Sequence, residues 1–123
     1  MLRDPRLIEQ TLSAAELAVR QELLGSLRRR FGERLERIAL LGSRARGDVS
    51  MDSDIDLLVV VDFSAGEEEN DVDAIWQMTT AAKRVSTSYV PLAPVILSKA
   101  KFDELTRQRR RFAIDAAREG ISL

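Results

Sequence analysis

The stretch that decides the fold reads Leu41-Gly42-Ser43-Arg44-Ala45-Arg46-Gly47-Asp48, passes through Val49 to Asp52, and continues Ser53-Asp54-Ile55-Asp56-Leu57-Leu58-Val59. Both of its ends carry strand signals. Ile38 to Leu41 is a short apolar run that stops at Gly42-Ser43, and Ile55 to Phe63 is dense in Val and Leu. Residues 43–53 between them are polar, a turn or short helix followed by a loop. Roughly a dozen residues between two strands are too many for a tight hairpin. Something is built in that connection.

Working outward, the spacings of three and four among Ile8, Leu12, Ala15, Val19, Leu23 and Leu27 predict a first helix, with Pro5 in its opening turn and Gly32 as its stop. Arg28, Arg29 and Arg30 fall in its last turn, where cations suit the helix dipole. Ser64 to Asn70 reads as an acidic loop, and Val72, Ile75, Thr79 and Ala82 as a second helical stripe. Tyr89 to Leu97 reads as a third strand, and Pro91 and Pro94 favour an edge or a bulged position for it. Ser98 is an expected N-cap for a last helix whose inner face carries Phe102, Leu105, Phe112, Ala113 and Ala116. Trp76 and Tyr89 read as core aromatics rather than base-stacking ones. The order predicts an α/β (α+β) fold, a small mixed sheet of three or more strands flanked by helices, in one domain over residues 1–123.

Composition narrows the chemistry. Apolar residues are 45% and charged residues 32% of 123, a globular balance rather than a disordered one. Nineteen basic residues against 20 acidic ones give a net charge of −1, which argues against duplex nucleic acid as a partner. There is no cysteine and no histidine, which excludes zinc fingers, iron–sulfur sites, disulfides and thiol or histidine triads. Any metal must be held by oxygen, which points to Mg²⁺, Mn²⁺ or Ca²⁺. The charged N-terminus reads as no signal peptide, and no apolar run is long enough to span a membrane. A cytoplasmic location is the expectation.

Asp54 and Asp56 lie two apart at a strand start, so their side chains share a face. Their β-carbons would be ~6–7 Å apart, a spacing that lets two carboxylates grip one divalent ion or bridge two. Without a cation the like charges would repel and raise one pKa. Gly42-Ser43 follows a strand, where glycine admits a ligand close to the backbone and the next N–H groups favour an anion. Arg44 and Arg46 add positive charge nearby, although both also read as solvated. Taken singly, Gly-Ser is turn punctuation and Asp-x-Asp a solvated strand edge. Together they suit a metal–triphosphate complex, and Asp56 beside Ile55, Leu57 and Leu58 would be costly to bury without a partner.

The run G-S-R-A-R-G-D-(x5)-S-D-I-D-L-L-V resembles the signature of the nucleotidyltransferase superfamily related to DNA polymerase β, and most of all its minimal nucleotidyltransferase domains. The resemblance implies that fold. It implies that Gly42 and Ser43, with Arg44, Arg46 and Ser53, bind a nucleoside triphosphate, ATP being favoured. It implies that Asp54 and Asp56 are catalytic and hold two Mg²⁺ ions, with Mn²⁺ as an alternative. An acceptor hydroxyl would then take an NMP group, probably AMP, and pyrophosphate would leave. In the minimal family the acceptor often sits on a helical HEPN-type partner, in a toxin–antitoxin pair. Oligomeric state stays open, a homo-oligomer included.

One departure stands out. The family's third carboxylate belongs on a later strand, and Tyr89 to Leu97 contains no acid. Asp71, Asp73 and Asp103 fall on expected helices or caps, in helix-capping or surface roles. The alternative reading is therefore a catalytically impaired module that binds a nucleotide or a partner. An enzyme adding nucleotides to RNA ends is a third reading, but 123 residues leave little room to hold RNA.

Overall fold

The structure is a computed structural model and describes residues 13–41, 55–87, 89–108, 110–111 and 121–122. The first described helix, α1, spans Ala14–Phe31. A capping box starts it: the Glu16 N–H donates to Ser13 Oγ at 3.2 Å, and the Ser13 N–H donates to Glu16 Oε1 at 2.8 Å. Ser13 is extended, with φ −70° and ψ 169°, so one unbroken helix running from Pro5 is corrected to a helix that begins after Ser13. Pro5, Ile8 and Leu12 lie outside the described residues. Gly32 ends α1 as expected, at a φ of 55° that a side chain would strain.

A 3₁₀ turn, Gly32–Arg34, leads into β1 at Leu35–Leu41. Strand β2 follows at Ile55–Val61, then helix α2 at Glu68–Lys83, β3 at Leu92–Ser98, α3 at Lys99–Arg107 and β4 at Ile121–Ser122. The acidic run expected as loop partly belongs to α2, whose first turn holds Glu68, Glu69 and Asp71, where acids suit the helix dipole. Ser98 caps α3 as expected, accepting from the Lys101 N–H at 3.0 Å. That helix stops at Arg107, with Gln108 as its C-cap, so the one unbroken helix expected through Ala116 is interrupted there. Phe112, Ala113 and Ala116 lie outside the described residues.

The four strands form one mixed sheet in the order β3-β2-β1-β4. β1 pairs antiparallel with β2 and with β4, and β2 pairs parallel with β3 across α2. Among the described residues β3 is an edge strand, where Pro94 is tolerated. Strand alternation sorts the core by face. Ile38, Leu40, Ile55, Leu57, Val59 and Val61 pack with Val19, Leu23, Leu27 and Phe31 of α1 and Ile75 and Ala82 of α2. Ala39, Leu58 and Val60 pack on the other face with Phe102 of α3. Burying both faces of β2 explains why its sequence is a continuous apolar run. Each fully buried Leu or Val contributes about 1.5–3 kcal/mol relative to exposure.

Two aromatics depart from expectation. Trp76 is 49% exposed and Tyr89 is 85% exposed, so neither belongs to the core. Trp76 follows the buried Ile75, and the helical turn carries it off the packed face.

Candidate active site

One end of the sheet gathers the C-terminus of β1 and the N-termini of β2 and β3, because β1 runs against β2 while β3 runs with it. Asp56 is the second residue of β2 at this end. Register pairs it with Leu41 on one side and with Ala93 on the other. Paired residues share a face, so Leu41, Asp56 and Ala93 form one row, all half-buried. The row continues the face of Ala39, Leu58 and Val60 that Phe102 covers further along.

The backbone of this row is well held. The Ile55 N–H donates to the Pro91 carbonyl at 2.7 Å, which ties the start of β2 to the approach to β3. Ile55 itself is 2% exposed and anchors the opposite face. Leu41 is the last described residue before the connection that opens with Gly42-Ser43, and it sits beside Asp56. The strand order thus brings the exit of β1 next to the acid of β2. Gly42, Ser43, Arg44, Arg46, Ser53 and Asp54 lie outside the described residues. The register also answers which residue flanks the acid on β3: it is Ala93, which offers no carboxylate.

The sequence contains neither His nor Cys, so the donors available near this row are oxygens, the chemistry of a hard divalent cation. Among the described residues no cluster of three or more acids that could hold a metal forms.

A second carboxylate is more enclosed than the sequence suggests. Asp71, expected to cap a helix or lie at the surface, stands in the first turn of α2 and is 4% exposed. The Arg30 guanidinium donates to its Oδ1 at 3.0 Å, and Arg34 faces its Oδ2 at 3.6 Å, an ion pair longer than a hydrogen bond. Both arginines also stack on Phe31, at 5.8 and 5.3 Å from the ring centre, and Arg34 donates to Ser64 Oγ at 3.1 Å. This cluster joins the end of α1 to the start of α2. The only local hint was the placement of cations in one helix's last turn and acids in the other's first. No described helix is long and apolar enough to cross a membrane.

Comparison with known proteins bears on this geometry. The sequence profile of the nucleotidyltransferase domain family matches residues 20–118, from within α1 to beyond α3. A crystal structure of a protein from Sulfolobus solfataricus, provisionally named a nucleotidyltransferase, is 27% identical and superimposes with a TM-score of 0.50, covering 79% of this chain and 78% of that one. No curated protein matches the chain.

Proposed function

Since the chain belongs to the nucleotidyltransferase domain family, whose members act on nucleotides and generally use divalent metal ions, we propose that it moves AMP from ATP to an acceptor hydroxyl with Mg²⁺. All 123 residues act as one domain in this reading. The observation that carries it is the register of β1 on β2, which sets Asp56 beside the residue preceding Gly42-Ser43. This supports a reading in which a phosphate cradle at Gly42-Ser43 and a metal-binding acid serve one metal–triphosphate.

Gly42 and Ser43 take the triphosphate on backbone N–H groups and the Ser43 hydroxyl. Arg44, Arg46 and Ser53 supply further contacts to the nucleotide. Asp54 and Asp56 would hold Mg²⁺, which would supply neutralisation of phosphate charge at the α-phosphorus. The acceptor oxygen bonds to that phosphorus as its bond to the bridging oxygen breaks, and pyrophosphate leaves. The acceptor proton passes to water or to a base outside β3, since Ala93 cannot take it. Positioning and electrostatics carry the catalysis. The acceptor is a hydroxyl on a partner protein, of the HEPN type found in toxin–antitoxin pairs.

One observation favours a second reading. Ala93 stands in register with Asp56 where an acid would complete the row, which suits a module that binds nucleotide without turnover. Pyrophosphate release from labelled ATP with Mg²⁺ or Mn²⁺, in the presence of the acceptor, separates the two. Sustained release that stops in Asp54→Ala and Asp56→Ala supports the transferase. Tight binding with no release supports the module. Full activity in either variant removes the metal assignment.

A further inference from the structure

Tyr89 is the only tyrosine of the chain, and its side chain is 85% exposed. Among the described residues nothing hydrogen-bonds its hydroxyl or stacks on its ring. The backbone beside it is anchored. Val90, 3% exposed, packs in the core, and the Leu92 N–H donates to the Val90 carbonyl at 2.9 Å. The Ile55 N–H donates to the Pro91 carbonyl at 2.7 Å, one residue before Asp56. A free phenol therefore stands on a fixed base where β3 begins, at the open end of the sheet.

The strand order says which side of Asp56 this is. Asp56 lies between Leu41 of β1 and Ala93 of β3. Under the transferase reading, on which this inference rests, the triphosphate extends to the β1 side, where Gly42-Ser43 follows Leu41. In-line displacement brings the acceptor oxygen in opposite the departing pyrophosphate, hence from the β3 side. Tyr89 precedes Ala93 by four residues, so their Cα atoms lie within about 14 Å, and the bend at Pro91 shortens that span. Ala93 sits one strand spacing, about 4.8 Å, from Asp56. Ala93 is also no base. A phenol gives up its proton more readily than an aliphatic hydroxyl, so it suits an acceptor position that lacks one.

We propose that the chain modifies itself: the Tyr89 hydroxyl takes AMP from ATP bound at the Asp56 end of the same chain. The phenolic oxygen bonds to the α-phosphorus as the bond to the bridging oxygen breaks. Pyrophosphate leaves, and the phenolic proton passes to water. Among the described residues the next exposed hydroxyl upstream is Thr87, which is aliphatic and two residues further from Ala93.

The test needs no added acceptor. The full chain, Tyr89→Phe and Asp56→Asn are each incubated with ATP and Mg²⁺, and AMP is located by tandem mass spectrometry of their peptides. Intact mass before incubation gives the AMP already carried. The same samples are titrated with ATP and Mg²⁺ by calorimetry. The expected result is AMP on Tyr89, gained at a rate per chain that dilution leaves unchanged. Labelling disappears in Tyr89→Phe, which still binds ATP, and falls at least about 10²-fold in Asp56→Asn. A mixture of the two variants stays unlabelled, because the step runs within one chain. ATP binding without AMP on Tyr89, AMP on another residue instead, or labelling of Asp56→Asn by the admixed Tyr89→Phe chain would overturn the proposal and leave the transferase reading standing. A native chain that binds no ATP would overturn both.

Discussion

The chain positions two half-buried or buried acids in opposite ways. Asp71, at the start of α2, is neutralised from within the chain by Arg30 at 3.0 Å and Arg34 at 3.6 Å. Asp56, at the start of β2, stands in register between Leu41 and Ala93, two apolar residues. The difference separates roles. An acid enclosed by its own arginines closes a joint between two helices. Asp56 lies half-buried in a row at the open end of the sheet, the end at which the proposed function places the metal–nucleotide.

Exchanging the two acids for neutral isosteres should break the comparison most visibly. Asp56→Asn is expected to lower nucleotidyl transfer about 10²–10³-fold, the scale for losing one electrostatic contact to a reacting centre. Its melting temperature should move far less than that of Asp71→Asn. A steady-state assay of pyrophosphate release and a thermal melt on the same samples check both halves. Asp71→Asn leaves two guanidiniums facing a neutral amide and should cost about 1–3 kcal/mol. At about 4 °C per kcal/mol for a domain of this size, that is a readily measured drop in Tm, with ATP affinity unchanged. A fall in ATP affinity instead would mean that the Asp71 joint reaches the nucleotide site.

Much of this architecture was legible in the sequence. Strand β2 announced itself because burial on both faces demands an uninterrupted apolar run. Pro94 left an edge or a bulged position open, since it cannot donate to a ladder, and the strand order selects the edge. Of the candidate site, Asp56 could be set at a strand start, and the register then supplied its neighbours. Which residue of the third strand faces it was not readable, because cross-strand register depends on pairing between segments more than 30 residues apart. The burial of Asp71 was hidden for the same reason: its partner Arg30 is 41 residues away. Strand β4 was missed because two residues carry no periodicity. The start of α1 was misplaced because the apolar spacing continues through Ile8 and Leu12, while the capping box at Ser13 and Glu16 sets the boundary.

Two smaller effects sharpen the contrast between local and long-range control. Ser13→Ala removes the capping box and should cost about 1 kcal/mol, read as a shift in the denaturant midpoint with the slope unchanged. Trp76→Ala removes an aromatic that is 49% exposed and should stay within about 0.5 kcal/mol of the native stability. A loss several times larger would return Trp76 to the core, against its observed position.

The central claim is that the Asp56 end of the sheet holds a metal–nucleotide complex. Its most direct test is calorimetric titration of the full chain with ATP, with and without Mg²⁺, beside Asp56→Asn and Asp71→Asn. The account predicts Mg²⁺-dependent binding in the native chain that survives in Asp71→Asn and disappears in Asp56→Asn. Equal ATP binding by the native chain and Asp56→Asn, or binding indifferent to Mg²⁺, would contradict it.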